Sequence, residues 1–214
     1  MCLMFKNRIE AGQQLAQKLT EVPQEELPKK DLVILGIPRG GVVIGRQLAS
    51  LFCSPLDVVV TKKIGAPSNP ELAIGAVGVT GEPVVDEELA QRVGAGENYL
   101  QRQVSELRSE VLRRIKEYRS DKPPLNLKNK VVVITDDGIA TGATVKAAIE
   151  VLRQENPQKI IVAVPVIAKD ALTEIEGLAD EVIYLEAPDL FFAVGEFYQD
   201  FEQVTDEEVK ELLK

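Results

Sequence analysis

Apolar residues along this chain form short unbroken runs that alternate with segments of helical spacing. The runs lack the every-second-residue alternation of a half-exposed strand, which is typical of strands buried on both faces of a parallel sheet. Strands that alternate with helices indicate an α/β domain, with helices on both faces of a mainly parallel, twisted sheet. Strands are predicted at 32–35, 58–60, 131–134, 160–166 and 181–185, and helices at 42–52, 145–152 and 172–178, after an initial helical stripe of Phe5, Ile9, Ala16 and Leu19.

The middle of the chain departs from this alternation. After a turn at 65–70, residues 73–79 and 83–85 flank Gly81 and Glu82 in a pattern that predicts a hairpin. A segment of mixed charge at 98–119 then carries apolar residues at helical spacing. We expect an amphipathic helix that covers the core, in a region that also suits a lid or an oligomer contact.

Composition limits the functions that this chain can have. A chain of 214 residues with 45% hydrophobic content can bury a full core, and we expect a single domain. The net charge of −9 argues against broad nucleic-acid or anionic-membrane binding, and the absence of histidine excludes Ser-His-Asp triads and histidine zinc sites. Cys2 and Cys53 have no zinc, redox or disulfide spacing. Without a signal-peptide core or a membrane-length apolar run, a cytoplasmic location is expected.

The segment 131–144, VVVITDDGIATGAT, is the strongest functional motif. Its β-branched run predicts a strand whose carboxyl end lies at a ligand site, and Asp136 and Asp137 follow at that end. Their carboxylates suit adjacent sugar hydroxyls or, through water, a divalent cation. The small and hydroxyl residues at 138–144 let the backbone wrap around a phosphate at a helix N-terminus. Taken singly, the same residue types also occur as helix caps and tight turns.

A second loop of this kind, GIPRGG at 36–41, follows the first predicted strand. Its glycines permit close approach to an anion, Arg39 offers a forked cation, and the next helix directs its N-terminus to the same place. The alternative is a surface turn with a solvated arginine.

Two other phosphate-binding motifs fit poorly. A P-loop has Lys and then Ser or Thr after its second glycine, but Val42 and Val43 stand at those positions. A dinucleotide fingerprint needs three glycines after a strand, whereas Gly94 and Gly96 are followed by Tyr99 at the third position. Both nucleotide-binding motifs are therefore rejected.

The apolar run, the acidic pair and the Ala-Thr-Gly-x-Thr turn together resemble the phosphoribosyl pyrophosphate (PRPP) signature of the type I phosphoribosyltransferases. The order of the loops agrees, since that family has a pyrophosphate loop after its first core strand. Three further segments, RIEAGQQLAQKL, TKKIGAPSNPELAIGAV and FFAVGEFYQDFEQVTDEEV, are similar to poorly characterised members found in bacteria and archaea. The resemblance implies a type I phosphoribosyltransferase-like fold with a core of about 31–65 and 128–186, an insert of about 66–127, and a C-terminal hood and helix of about 187–214.

The resemblance also implies roles for individual residues. Asp136 and Asp137 are expected to hold the ribose hydroxyls and, through these or water, Mg²⁺, while Arg39 and a lysine meet the pyrophosphate. Either Lys62 or Lys63 suits the lysine role, because neighbours in an extended chain point to opposite faces. The residues expected to line the substrate pocket are Gly40, Gly41, Gly138, Ala140, Thr141, Gly142, Ala143 and Thr144, with Phe191 or Phe192 stacking on the acceptor.

These features predict an enzyme that transfers a phosphoribosyl group from PRPP to a nitrogen acceptor, a nucleobase or related compound, with release of pyrophosphate. One departure from the family pattern narrows the acceptor: the 6-oxopurine enzymes commonly have an Asp before the Thr-Gly pair, and this chain has Ala140. The alternative is a non-catalytic sensor of PRPP or a nucleotide on the same fold. The expected ligands are PRPP, Mg²⁺ and a small-molecule acceptor, and the resemblance implies a dimer.

Overall fold

The computed structural model describes residues 4–79, 82–119 and 122–214, which fold into two sheets and their covering helices. Within these ranges, every helix is too short or too polar to cross a membrane. The strands are β1 (Leu32–Gly36), β2 (Leu56–Val58), β3 (Lys62–Ala66), β4 (Asn69–Val77), β5 (Val84–Val85), β6 (Val131–Thr135), β7 (Lys159–Val166) and β8 (Glu181–Glu186). The helices are α1 (Arg8–Leu19), α2 (Gly40–Phe52), α3 (Glu87–Arg92), α4 (Glu97–Arg119), α5 (Ala143–Arg153), α6 (Lys169–Glu176) and α7 (Asp206–Leu212), with a 3₁₀ turn at Val194–Phe197.

The central sheet is parallel and has the strand order β2-β1-β6-β7-β8, which confirms the predicted α/β architecture. β1 and β6 are neighbours in register, so that Gly36 lies opposite Thr135 at their carboxyl ends. The direction of the strand order reverses between these two strands. In open α/β sheets, ligands bind outside the carboxyl ends of the strands at such a switch point.

Helices cover both faces of this sheet. Ile34 and Val133 belong to a core that includes residues of α1 and α2, whereas Leu35 and Ile134 belong to a second core that includes residues of α5 and α6. Every residue of β1 and β6 is buried. Burial on both faces explains why the two strands have continuous apolar sequences.

The initial helix differs from the predicted stripe. Because α1 begins at Arg8, Phe5 precedes the helix and forms a bridge with Tyr198, and Ile9 is 49% exposed. The assignment of Phe5 and Ile9 to one buried helical face is therefore wrong. The buried residues of α1 are Ala11, Gly12, Leu15, Ala16 and Leu19.

The residues just before the predicted turn at 65–70 belong to the second sheet. Lys62 and Lys63 lie within β3, which pairs with β4 in the antiparallel direction. The segment 65–70 therefore contains the end of β3, a hairpin turn and the start of β4. β2 ends at Val58, and the rest of the predicted strand at 58–60 lies outside it. The antiparallel pairing of β4 with β5 confirms the predicted hairpin, although Gly81 lies outside the described residues.

The insert packs directly on the core. Ala76 of β4 forms a buried cluster with Ala147 and Val151 of α5, and a Cβ built on Gly78 would overlap the Val151 side chain. The buried residues of α4 confirm the predicted amphipathic helix. The insert therefore covers apolar surface on α5 and forms part of the same packed unit.

The C-terminal end of α4 is fixed by polar contacts. Arg119 Nε donates to Asp57 Oδ1 at 2.8 Å, and the exposed fractions of the two side chains are only 15% and 8%. Tyr118 Oη donates to Asp206 Oδ1 at 2.7 Å. Burial and the Asp206 carboxylate raise the pKa of Tyr118 to about 12, so the phenol keeps the proton that it donates. These contacts join α4 to β2 and α7.

Arg119→Met should lower the free energy of unfolding by roughly 3 kcal/mol, because it leaves the Asp57 carboxylate buried without its cation. Denaturant titration measures this loss. Arg113→Met is the matched control, since Arg113 forms an exposed pair with Glu117 on the same helix and should change stability by less than about 1 kcal/mol. Equal losses in the two variants would contradict a specific role for the buried pair.

Candidate functional site

Two loops meet at the carboxyl edge of the central sheet. The Arg39 loop, residues 37–41, follows β1 and runs into α2, while the acidic loop, residues 136–142, follows β6. The Ile37 N–H donates to the Thr135 carbonyl oxygen at 2.9 Å. Because β1 and β6 are adjacent and in register, the two loops leave the sheet side by side.

Two glycines of the Arg39 loop lie against the acidic pair. A Cβ built on Gly40 would overlap Asp137 Oδ2, and a Cβ on Gly41 would overlap the Thr135 carbonyl oxygen and lie 2.8 Å from Asp136 Cα. A side chain therefore fits at neither glycine. The contact between the loops alone requires both glycines, whatever ligand they meet.

Asp136 and Asp137 are both at this edge, as predicted, but their surroundings differ. Asp136 Oδ1 accepts the Asp137 N–H at 2.8 Å, and burial together with the Asp137 charge raises the pKa of Asp136 well above its usual range. Asp137 Oδ2 accepts from Arg8 Nε at 2.7 Å. Arg8 therefore balances part of the negative charge of the pair.

The end of the acidic loop leads into the N-terminus of α5. Gly142 has a φ of 72°, in the left-handed region that favours glycine, and a Cβ there would lie 3.2 Å from Ile175 Cδ1. The N-cap residue Gly142 makes no side-chain hydrogen bond to the start of α5, which leaves the positive end of the helix available to an anion. The neighbouring residues Ala140, Thr141, Ala143 and Thr144 are exposed.

Gly138 has a packing role in this structure. A Cβ there would lie 2.6 Å from Val194 Cγ1 in the hood and 2.9 Å from Val166 Cγ1 at the end of β7. The Ile139 N–H donates to the Val166 carbonyl oxygen at 2.9 Å. These contacts fix the acidic loop between β7 and the hood, and a substrate contact of Gly138 stays a prediction.

Arg39 stands at the start of α2 and is partly exposed. Its Nη1 lies 3.9 Å from Asp206 Oδ1, the same oxygen that accepts from Tyr118. The peptide bond between Pro38 and Arg39 is cis. Since 36% of each side chain in the Arg39–Asp206 pair is exposed, the pair is weak, and Arg39 is accessible to an incoming anion.

Lys62 and Lys63 have separate partners within the insert. Lys62 Nζ lies 2.8 Å from Glu110 Oε1 on α4, and Lys63 Nζ lies 2.7 Å from Glu71 Oε2 on β4. The different partners agree with the opposite directions of successive strand residues. A contact of either lysine with pyrophosphate stays a prediction, and it requires that lysine to leave its glutamate.

The two candidate aromatic residues of the hood have different surroundings. The Phe191 ring lies 5.0 Å from the Phe197 ring, between centroids, and packs against the core. Phe192 is 75% exposed. Of the two, Phe192 therefore offers an open face to a planar ligand.

Two residues that hold Asp137 were not predicted from the sequence: Arg8, near the N-terminal end, and Tyr198, near the C-terminal end. Besides its bond to Asp137, Arg8 donates from Nη1 to the Glu202 carbonyl oxygen at 2.7 Å, and its guanidinium carbon lies 3.8 Å from the Phe201 ring centroid. Tyr198 Oη donates to the Asp137 carbonyl oxygen at 2.5 Å, and burial and the Asp137 charge raise the pKa of Tyr198. The sequence does contain one signal for Arg8. A cation in the first turn of a helix opposes the helix dipole, and no acidic residue follows Arg8 three or four positions later to balance it. This pattern indicates an acidic partner outside the helix.

The acidic pair suits Mg²⁺ only through a bound ligand or water. Carboxylate oxygens are proper ligands for this cation, but Asp137 Oδ2 already accepts from Arg8 and Asp136 Oδ1 accepts a backbone N–H. In the described ranges, no group of three or more acidic or cysteine side chains is arranged to hold a metal ion. A contact of the pair with Mg²⁺ through a bound ligand or water stays a prediction.

Gly40→Ala should force the Arg39 loop away from the acidic loop, because the new Cβ would overlap the Asp137 carboxylate. We expect the free energy of unfolding to fall by about 1–3 kcal/mol, as for other overpacked sites, in a denaturant titration. Gly96→Ala is the control, since a Cβ there has no neighbour within 4 Å and stability should change by less than about 1 kcal/mol. A Gly40 variant as stable as the Gly96 variant would refute the close contact.

Comparisons with known proteins agree with this geometry. The family model of the phosphoribosyl transferase domain matches residues 6–202. Two curated relatives from Mycobacterium tuberculosis strains CDC 1551 and H37Rv, each provisionally named a phosphoribosyl transferase, are 40% identical over 210 residues, which cover 98% of this chain and 46% of each relative. The chain thus spans about half the length of these relatives.

A solved structure matches over nearly its whole length. The crystal structure of TT1426 from Thermus thermophilus has a TM-score of 0.89 and 41% identity, with 98% of this chain and 97% of that chain covered. The family model spans nearly all of the sequence, including both loops of the candidate site. This chain therefore belongs to the phosphoribosyl transferase domain family.

Proposed function

We propose that this protein is a PRPP-dependent phosphoribosyltransferase that transfers the phosphoribosyl group to a nitrogen acceptor and releases pyrophosphate. The observation that carries the proposal is the contact between Gly40 of the Arg39 loop and Asp137 of the acidic loop. It brings a cation-bearing glycine loop, an acidic pair and an uncapped helix N-terminus to one edge of the sheet. A ribose with a phosphate at one end and a pyrophosphate at the other requires these three features side by side.

PRPP suits this edge in one orientation. We assign its 5-phosphate to the segment 140–144, where the first N–H groups of α5 and two hydroxyls serve as donors. The ribose hydroxyls are assigned to Asp136 and Asp137, and the pyrophosphate to the Arg39 loop. The Asp137 carboxylate, with the Asp136 carboxyl beside it, then lies beneath the ribose, and the cations lie at the leaving group.

This distribution of charge suits the reaction. Cleavage of the bond from C1 to pyrophosphate leaves positive charge on the ribose, while the bonding electrons leave with pyrophosphate. Fixed carboxylates near the ribose stabilise the first charge, and Arg39 with one lysine stabilises the second. Asp136 and Asp137 would hold Mg²⁺ through ligand hydroxyls or water, and the cation would supply further positive charge at the leaving group. The acceptor nitrogen then donates an electron pair to C1 and loses its proton to the departing pyrophosphate or to water, so this chemistry needs no histidine.

The acceptor is partly constrained by two exposed residues. Position 140, where the resemblance places the base of the 6-oxopurine enzymes, is an exposed alanine and cannot accept a proton from a purine. Hypoxanthine and guanine are therefore poor candidates. Phe192 offers its open face to a planar acceptor.

The alternative is a protein that binds PRPP or a nucleotide without turning it over. The observation that favours it is the pairing of Lys62 with Glu110 and of Lys63 with Glu71. Catalysis with a lysine at the leaving group requires one of these pairs to open, whereas binding alone does not. Pyrophosphate release distinguishes the two functions.

Two measurements on the full chain test the proposal. Calorimetric titration with PRPP should show binding that weakens when Mg²⁺ is removed. Incubation with PRPP and a panel of adenine, pyrimidines, 6-oxopurines and simple amines should release pyrophosphate with at least one acceptor, and with 6-oxopurines least. Binding without pyrophosphate release from any acceptor would favour the sensor, and the absence of PRPP binding would reject both the transferase and a PRPP sensor.

Asp137→Asn should reduce the rate of pyrophosphate release by roughly 100-fold or more, because it removes the fixed negative charge assigned to the ribose. Asp180→Asn is the control: Asp180 also pairs with an arginine, Arg153, at 2.7 Å, but lies outside both loops. The control should release pyrophosphate at the rate of the unmodified protein. An unchanged rate in the Asp137 variant would remove this residue from the site.

A further inference from the structure

Arg8 reaches the acidic pair from outside both loops. Its Nε donates to Asp137 Oδ2 at 2.7 Å, and the exposed fractions of the two side chains are only 11% and 15%. Arg8 is the first residue of α1, where it opposes the positive end of the helix. A buried cation in an unfavourable helix position indicates that the contact with Asp137 compensates for that cost.

The guanidinium is fixed by contacts other than the one to Asp137. Nη1 donates to the Glu202 carbonyl oxygen, and the ring of Phe201 lies beneath the guanidinium carbon. The Asn7 side chain accepts the Glu10 N–H at 3.0 Å and so caps the helical turn that carries Arg8. A planar cation held in this way loses little further freedom when it binds a carboxylate.

The two end segments of the chain are joined at this place. The Phe5 N–H donates to the Phe197 carbonyl oxygen at 2.9 Å, and the Gln199 N–H donates to the Phe5 carbonyl oxygen at 2.9 Å. From the C-terminal segment, Tyr198 donates to the Asp137 carbonyl oxygen. Asp137 is thus held at its carboxylate by one segment and at its backbone by the other.

The ion pair uses the Asp137 oxygen that lies against Gly40. Oδ2 lies so close to Gly40 that a Cβ there would overlap it, and the same Cβ would lie 3.0 Å from Arg8 Nε. Arg8 donates to Oδ2, and the neighbouring Asp136 carboxyl also hydrogen-bonds the Asp137 side chain. Arg8 therefore fixes the carboxylate through Oδ2 and makes no hydrogen bond to Oδ1.

We propose that Arg8 is a positioning residue which, together with Tyr198, holds the Asp137 carboxylate so that Oδ1 is available to the ribose of the phosphoribosyl donor. The inference rests on the proposed function, and it gives the first turn of α1 a part in substrate binding. Without Arg8, the Asp137 carboxylate lies beside Asp136 with no cation to hold it. We expect the side chain to rotate away from Gly40 in that case.

Substitutions of Arg8 test this role through PRPP affinity and the separate kcat and KM values of pyrophosphate release. Arg8→Gln should weaken PRPP binding by about tenfold or more, as is usual when a group that orients a ligating side chain is lost. Arg8→Lys should recover part of the affinity, since an ammonium reaches Asp137 but lacks the fork that also meets Glu202. Thermal unfolding of each variant confirms that it is folded at the temperature used.

Arg153→Gln is the matched control. Arg153 donates to the Asp180 carboxylate at 2.7 Å and to the Leu178 carbonyl oxygen at 2.9 Å, which is the same donor pattern as in Arg8, but outside the candidate site. Its loss should leave PRPP affinity unchanged. Equal losses in the Arg8 and Arg153 variants would assign Arg8 a general structural role and overturn the proposal.

Ligand-free crystal structures of the unmodified protein and of Arg8→Gln test separately whether Arg8 fixes the position of Asp137. If the glutamine variant does not fold, Arg8→Lys is crystallised in its place. Asp137 displaced from Gly40 supports the proposal, while an unmoved Asp137 overturns it. Unchanged or tighter PRPP binding by the folded variant also overturns it, since tighter binding means that Arg8 competes with the ligand. If the unmodified protein does not bind PRPP, the proposed function and the ribose contact fall, and the two structures still decide whether Arg8 holds Asp137.

Discussion

The close approach of Gly40 to the Asp137 carboxylate determines the geometry of the whole carboxyl edge of the central sheet. β1 and β6 end at the same level because they are paired in register. Backbone without side chains at positions 40 and 41 then lets the loops come into contact. A methyl group at Gly40 would overlap the Asp137 carboxylate, and one at Gly41 would overlap the Thr135 carbonyl oxygen, so the overlapping groups would have to shift. The start of α2, the Arg39 loop and the acidic pair therefore occupy mutually dependent positions.

Electrostatics adds a second constraint to this arrangement. The chain carries a net charge of −9, and two of its carboxylates lie next to each other at a partly buried edge. Arg8 offsets part of that charge from one direction, while Arg39 and the two insert lysines are each paired with a carboxylate elsewhere. An anion that binds Arg39 or either lysine must therefore displace a carboxylate partner.

The features that sequence could predict are those with local causes. β1 and β6 have unbroken apolar runs because both of their faces are buried, and the two glycine-containing loops follow them directly. β3 and its pairing with β4 were not predicted, since the turn-forming residues at 65–70 hide an antiparallel pairing whose outer part is exposed. Phe5 was wrongly placed in a helix because spacing cannot distinguish a helical residue from an extended one that packs on Tyr198. The contact of Arg8 with Asp137 spans 129 positions in sequence, so no local pattern contains it.

The packing of the insert on α5 limits how this domain can be divided. α5 carries the candidate phosphate-binding N-terminus at one end, and further along it Ala147 and Val151 are buried beneath Ala76 of β4. Removal of the insert would expose apolar surface on the helix that forms the candidate site. The central sheet by itself is thus not a separable module. The smallest unit of this chain that can be exchanged between proteins or redesigned as a scaffold includes the insert.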